Sequence, residues 1–491
     1  MDDISKQQAL DEKAIGTPND GHGPATALKQ VGIVEPQIDP AKEKILLAKL
    51  DLFFVPIIML VYLSCFLDRS NIGNVKVAGM PEDIGASAQQ FSTAVSIFYA
   101  TYVTFETPFA IALKKLTPRV LLTTLSVIWS LTTIFSGFIH SVGGLYASRL
   151  VLGACEAGLF PSLTLYITMI WRREEQAKRV AYLFSCTALS GAFGGLLAYA
   201  LLQMDGVAGY AGWRWVYIIE GIFSMLIAVA VWFGLPTNPA EAWFLSDEQK
   251  HMMRIRNEQR IQYMGSDELD WQEVRIAFKD PKLYLSGAIQ FCQDILLYGF
   301  STFLPAILKA AHYNTLQSNY LTIPVYIFGA IAFLAAAVAS DRLRMRSPFI
   351  LFANIFGIVG YIVLLTVSTD GVRYFATFLC AVAVYNGPGM NVTWINVNVA
   401  PHYRRATTIG FQQTIANTAG IVAGQIYRTS PYKLGHSFSL GALCLAQVLI
   451  VVKMFYIKWW NTRKEKIARG EIPDTRKYKT GDRELDFKYH L

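Results

Sequence analysis

Six ionisable residues stand inside stretches otherwise built of Leu, Ile, Val, Phe and Ala: Asp68, Arg69, Glu106, Arg149, Glu156 and Asp294. A charge at the centre of a membrane helix costs about 2.5–3.5 kcal/mol on insertion scales, so each must face a cavity or a partner. Arg149, Gly153, Glu156 and Phe160 follow the i, i+4, i+7, i+11 spacing and share one helix face. Arg149 and Glu156 are two turns apart, ~10.5 Å along the axis, too far to pair with each other. Asp68 and Arg69 complement both in charge. Asp294 has Gln290 and Tyr298 one turn to either side, a polar stripe on an apolar helix. That stripe suits a second proton site or a hydrogen bond to a ring nitrogen, with a helix-packing network as the alternative. Glu106, just before Pro108, suits snorkelling or a gate contact with the nearby basic loop.

The second half of the chain supplies polarity with little charge. Gln413, Asn417, Gly420 and Gly424 share a helix face, and Tyr385, Asn386, Asn391 and Trp394 fall in the segment before it. Amides and aromatic planes suit a flat carboxylated ring, although Tyr and Trp also anchor helices and amides also bond across helix interfaces. Other chemistries find no support. Gly387-Pro388-Gly389 bends a helix and is no phosphate loop, and no Walker-type sequence follows a strand. None of the 7 histidines has i, i+4 metal spacing, and no Ser/His/Asp group clusters. No enzyme, metal site or cofactor is expected. The 6 cysteines, at 65, 155, 186, 292, 380 and 444, fall in apolar segments and read as small buried residues.

The elements that must hold these residues are membrane helices. The chain has 491 residues, 53% hydrophobic and 16% charged, against ~25% charged for soluble chains. Roughly 20 helical residues span the ~30 Å hydrocarbon core. Spans are expected near 47–78, 90–113, 119–139, 143–170, 178–202, 213–235, 283–309, 317–340, 347–367, 373–399, 406–428 and 434–458. The expected fold is all-α and polytopic, with twelve transmembrane helices in two pseudo-symmetric six-helix bundles, 45–235 and 283–460. A disordered tail at 1–44, a polar linker at 236–282 and a charged tail at 461–491 complete the chain. Lys114, Lys115, Arg119, Arg172, Arg173, Lys178, Arg179, Arg342, Arg344, Arg346, Arg404 and Arg405 occupy even-numbered loops. The short odd-numbered loops are poorer in charge, apart from Lys76. By the positive-inside rule both termini and the linker are cytoplasmic. The net charge of +8 is then a matter of topology, with no nucleic-acid partner.

The halves echo each other. Aligning Lys178-Arg179 with Arg404-Arg405 places Gly194 on Gly420, in two helices rich in small residues that permit close contact. Two related bundles imply a transporter whose cargo binds between them near the midplane.

The 6+6 layout with an Asp341-Arg342 loop after the eighth span resembles the major facilitator superfamily. Leu67-Asp68-Arg69-Ser70-Asn71-Ile72-Gly73-Asn74 resembles its anion:cation symporter (allantoate permease) family. So does Arg149-Leu150-Val151-Leu152-Gly153-Ala154-Cys155-Glu156-Ala157-Gly158-Leu159-Phe160-Pro161. Val77-Ala78-Gly79, Trp171-Arg172-Arg173-Glu174, Arg346-Ser347-Pro348-Phe349-Ile350-Leu351 and Gly371-Val372-Arg373-Tyr374-Phe375 look like the fungal nicotinic acid permease branch. The superfamily's Gly…Asp loop after the second span is here Leu113-Lys114-Lys115, without the Asp.

The resemblance implies a secondary active transporter at the plasma membrane, acting as a monomer and driven by a proton gradient. Its cargo would be a small organic anion, nicotinate or a similar aromatic or heterocyclic monocarboxylate. Arg69 and Arg149 would clamp the carboxylate, with Tyr298, Tyr385, Asn386, Trp394, Gln413 and Asn417 completing the site. Asp68, Glu156 and Asp294 would carry protons, and Glu106, Asp341 and Arg342 would gate. The alternative role for Arg149 and Glu156 is to pin helices together. The alternative function is export of a larger organic anion on the same scaffold.

Overall fold

The computed structural model describes residues 38–113, 116–264, 271–400, 402–476 and 478–491. The expected N-terminal tail, as far as residue 37, lies outside the described residues, as do Lys114 and Lys115. The chain divides into Met1–Ala48 and Lys49–Leu491. What is described of the first unit is mainly the opening of a helix that begins at Pro40.

Twelve long helical segments are found among the described residues. They are α1 (Pro40–Val77), α2 (Ala88–Ala112), α3 (Pro118–Ser136), α4 (Val142–Ala157, then Leu159–Ile170), α5 (Arg173–Leu201) and α6 (Gly212–Gly234). The second six are α7 (Pro281–Ala310), α8 (Thr315–Tyr320, then Thr322–Leu343), α9 (Ser347–Thr366), α10 (Asp370–Val397), α11 (His402–Asn417, then Ala419–Ile426) and α12 (Lys433–Ala468). Their ends are written locally. Ser141 and Asn314 cap α4 and α8 by accepting from the backbone N–H groups of Gly144 and Gln317. At α7, Asp280 accepts from the N–H of Lys282 and Pro281 takes the first helical position.

By length and composition 9 helical spans among the described residues could cross a membrane. The three that fall short are α2, α10 and α11. Each turns polar side chains inward: Ser92, Ser96 and Glu106; Asn386 and Asn391; Gln412 and Asn417. The polarity that weakens their hydropathy signal is what the interior uses.

Within the first half, α3 packs on α6 and α2 on α4; within the second, α7 touches α10, α11 and α12, and α9 lies against α10. The halves meet along α5–α8 and α2–α11. These contacts concentrate at one face of the bundle, opposite the linker. An added Cβ on Gly195 of α5 would lie 2.4 Å from Thr322 Oγ1 of α8, and one on Gly424 of α11 would lie 2.6 Å from Ser96 Oγ of α2. Only glycine allows that approach. Gly194, which the alignment of the halves singles out, instead faces Leu67 and Ser70 of α1. Lys76, in the last turn of α1, clasps the same face. Its Nζ donates to Tyr427 O at 3.4 Å and sits 4.6 Å from the Phe303 ring centroid and 5.1 Å from that of Tyr432.

The polar linker contains two helices, Asp247–Met264 and Trp271–Phe278. The first pairs with the first half through Arg256 and Glu175 (2.6 Å), the second with the second half through Glu273 and Arg404 (2.8 Å). The C-terminal segment folds back onto the second half. Asp482, fully buried, accepts from Lys282 of α7, from Arg404 of α11 at 2.6 Å and from the Tyr489 hydroxyl at 3.0 Å. Burial alone would raise the Asp482 carboxyl, but the Lys282 ammonium with Arg404 and Arg483 holds it below the usual carboxylate range.

Candidate functional site

A cavity of about 300 Å³ lies between the halves near the middle of the helices, on the linker side of the contacts just described. Tyr62, Cys65, Phe66 and Arg69 of α1 line it, with Tyr102 and Glu106 of α2. From the second half come Gln290, Asp294 and Tyr298 of α7, Tyr385 of α10, and Gln413 and Asn417 of α11. This volume is at the small end of the range for organic ligands.

Arg69 is the cation of the wall. Its Nε and Nη2 donate to Glu156 Oε2 at 3.1 and 2.9 Å, joining α1 to α4. The Cys65 thiol donates to the same oxygen at 3.0 Å, and among the described residues Glu156 Oε1 receives no hydrogen bond. Around the guanidinium lie the rings of Phe66, Tyr102 and Phe98, with centroids at 4.6, 5.0 and 5.2 Å. These rings hold the charge in place without neutralising it. Arg69 Nη1 makes no hydrogen bond to the described residues.

Glu156 therefore stands behind Arg69 and not in the cavity wall. Asp68 is one step deeper, accepting from Ser224 at 2.8 Å, while Ser224 bonds Ser64 at 2.7 Å. Arg149 does not reach the cavity, against the expectation of a paired clamp. It lies two turns from Glu156 toward the closed face, where Nη2 donates to the Tyr217 hydroxyl of α6 at 2.8 Å.

In the second half Tyr298 donates to Asn417 Oδ1 at 2.6 Å, and Asn417 Nδ2 donates to Glu106 Oε2 at 3.3 Å. Glu106 thus reaches across to α11. The carboxylate is buried and bonded inward rather than snorkelling. Lys114 and Lys115 of the basic loop, the other expected contact, lie outside the described residues. Tyr99 of α2 and Tyr298 meet across the same seam with ring centroids 4.6 Å apart.

Two expected ligands are elsewhere. The Trp394 indole donates to His490 O at 2.9 Å and packs with Tyr489, because its end of α10 is covered by the returning C-terminal segment. Asn386 faces away from the cavity and returns its Nδ2 to Val382 O of its own helix at 2.7 Å. Asp341 pairs with Arg346 within its own half, and Arg342 is exposed beside it. Neither bridges the halves among the described residues.

Several buried charges escape the sequence reading although they interrupt or border apolar runs, among them Arg214, Glu220, Lys282 and Lys453. Glu220 of α6 accepts from Asn71 at 2.5 Å, Lys453 sits inside α12, and Lys282 opens α7. The signal that marks Asp294, an ionisable residue in a lipid-length helix, marks Glu220 and Lys453 equally.

Two helical bundles shut at one face over a largely apolar midplane cavity that holds a buried guanidinium define a membrane transporter. The chain belongs to the Major Facilitator Superfamily, whose family profile matches residues 58–424. It is 49% identical to an uncharacterized transporter of Schizosaccharomyces pombe over 464 residues, covering 94% of this chain and 93% of that one. It is 31% identical to the high-affinity nicotinic acid transporter of Saccharomyces cerevisiae, covering 95% of this chain and 88% of that one. Its fold resembles the crystal structure of a bacterial homolog of the human lysosomal transporter Spinster, inward-facing and unoccupied. That match has a TM-score of 0.62 at 16% identity, over 85% of this chain and 96% of the other. The protein is an integral membrane transporter and not an enzyme.

Proposed function

We propose that this transporter carries a small organic monocarboxylate, nicotinate or a similar flat heterocyclic acid, together with a proton. The observation that carries the proposal is Arg69, a buried guanidinium in the cavity wall whose counter-ion Glu156 lies behind it. One buried guanidinium balances one carboxylate. The cargo takes the place of Glu156 only when Glu156 loses its charge by binding a proton, so anion and proton travel together. Arg69 offers the planar fork that suits a carboxylate, and the surrounding rings suit a flat aromatic body.

Tyr298, Tyr385, Gln413 and Asn417 face the rest of the cargo in this reading, and Asp294 accepts a ring N–H or a second proton. Asp68 is an onward proton carrier in the Ser224–Ser64 network. Arg149 holds α4 to α6, leaving Arg69 as the single clamp. Glu106 joined to Asn417 closes the midplane, and Asp341 with Arg342 act when the linker face closes. Kinship with the nicotinic acid transporter over most of both chains supports this cargo, as do the two anion:cation symporter strings. By the positive-inside rule the linker face, with Arg172, Arg179, Arg344 and Arg404, is cytoplasmic. We place the protein in the plasma membrane as a monomer.

The test is uptake of radiolabelled nicotinate by cells expressing the chain, at pH 5 and pH 7.5, with and without a protonophore. Saturable uptake that is faster in acid and collapses with the protonophore is the expected result. No uptake at either pH, with the protein at the surface, rejects this cargo and directs the search to other organic anions and to export.

A further inference from the structure

Lys453 of α12 is 1% exposed, and the groups it contacts among the described residues are neutral. Its Nζ donates to Ser286 Oγ at 2.6 Å and to Asn391 Oδ1 at 3.3 Å, and lies 3.7 Å from the Trp394 ring centroid. The carboxylates nearest this end of the second half are engaged elsewhere. Asp280 pairs with Lys282 and Arg483, and Asp482 with Lys282 and Arg404. An unpaired buried ammonium is costly, and among the described residues no counter-charge touches Lys453.

Hydrogen-bond direction shows where one lies. An ammonium only donates, so Asn391 must turn Oδ1 toward Lys453. Its Nδ2 is then left to donate to Gln290 Oε1 at 2.8 Å and to Ser286 O at 3.0 Å. Gln290 is fixed in turn. Its Oε1 faces Asn391, receiving Gln412 Nε2 at 3.2 Å as well, and its Nε2 donates to Asp294 Oδ1 at 3.1 Å. Each donor along the chain Lys453–Asn391–Gln290–Asp294 points the same way, from the ammonium to a carboxylate in the cavity wall. Aligned hydrogen bonds in a low dielectric polarise one another, so the chain carries the influence of the cation to the anion. Gln290, Asn391 and Asp294 are all at most 3% exposed.

We propose that Lys453 is the counter-charge of Asp294, acting through Asn391 and Gln290 as a positioning residue that orients the Asp294 carboxylate in the cavity wall. The second half then holds its own charge balance, and Arg69 in the first half remains the cation available to the cargo. The pairing rests on this geometry alone; its consequence for transport rests on the function proposed above.

The test is a double-mutant cycle on purified full-length protein, read as the thermal unfolding midpoint in detergent. Lys453→Met strands Asp294 at the end of two unanchored amides, and a drop of several degrees is expected. Adding Asp294→Asn removes the stranded anion and restores most of the loss. If the two losses simply add, or if Lys453→Met unfolds like the unmodified protein, the pairing is overturned. If Lys453→Met yields no monodisperse protein, recovery of such protein by the double variant supports the pairing and failure to recover it overturns it. Counterflow of labelled nicotinate gives a second readout. Lys453→Met is expected to raise KM several-fold with little change in Vmax per surface molecule, whereas a purely structural lesion lowers the surface amount and leaves KM unchanged. Coupled unfolding midpoints in a protein that does not transport nicotinate would fault the choice of cargo and leave the pairing standing.

Discussion

Arg69 and Glu156 make a single unit, because among the described residues neither has another charged partner in contact. Arg69→Ala leaves Glu156 buried without its cation and removes the proposed cargo clamp. Truncating one partner of a buried charge pair costs about 2–5 kcal/mol, so KM for nicotinate should rise by ~30-fold or more. Concentration-dependent counterflow measures this. Glu156→Gln keeps shape and hydrogen bonding but cannot exchange a proton. Proton-driven accumulation should fall to background while counterflow persists; equal loss of both, with normal surface protein, removes Glu156 from proton transfer. Sequence spacing separated Arg149 from Glu156, and charge complementarity named Asp68 and Arg69 as their complements; Arg69 meets Glu156, whereas Asp68 bonds Ser224. Spacing could not say that Arg149 turns to Tyr217, because that depends on how α6 lies against α4.

Elements decide which polar groups stay available. The C-terminal segment clips the second half by placing Asp482 among Lys282, Arg404 and Tyr489. Asp482→Asn removes the one carboxylate those groups share, and a loss of about 3–5 kcal/mol is expected, seen as a lower unfolding midpoint. The pH dependence follows from the depressed Asp482 carboxyl. Its contribution is present above the unfolded value near ~3.9 and is lost as pH falls through the lower folded value. The difference between the unmodified protein and Asp482→Asn should therefore be the same at pH 5 and pH 7.5 and shrink only in stronger acid. From sequence, 461–491 reads only as a charged tail. Its burial is a tertiary event, since the partners of Asp482 lie 200 and 78 residues away.

At the scale of the whole molecule, transport requires the closed face to open. Gly195 and Gly424 permit the α5–α8 and α2–α11 contacts that shut it. Gly195→Val places a branched side chain where Thr322 lies, and it should hinder closure and slow turnover while the protein stays folded. Gln89 and Gln425 bond across the same face at 3.1 Å. Cysteines at these two positions, joined by a short bifunctional reagent with a cleavable disulfide, should arrest transport, and reductant should restore it. Undiminished transport by the cross-linked protein would show that this face need not part.

The sequence by itself determined the class of molecule, because bilayer thickness fixes helix length and the cost of buried charge makes every intramembrane carboxylate and guanidinium conspicuous. The positions of the twelve spans, the Arg69–Glu156 complementarity and the polar stripe around Asp294 were legible for that reason. The ends of the spans were not: the first helix starts at Pro40, not near 47, and the last runs to Ala468, not 458. Only the tertiary structure decided which side of each helix meets the cavity. Tyr385 and Asn386 are neighbours in sequence, yet their side chains point about 100° apart, and only the packing of α10 chooses between them. The same packing sends Trp394 to the C-terminal segment and brings Lys453 into line with Asp294, contacts between residues too distant in sequence for spacing to reveal.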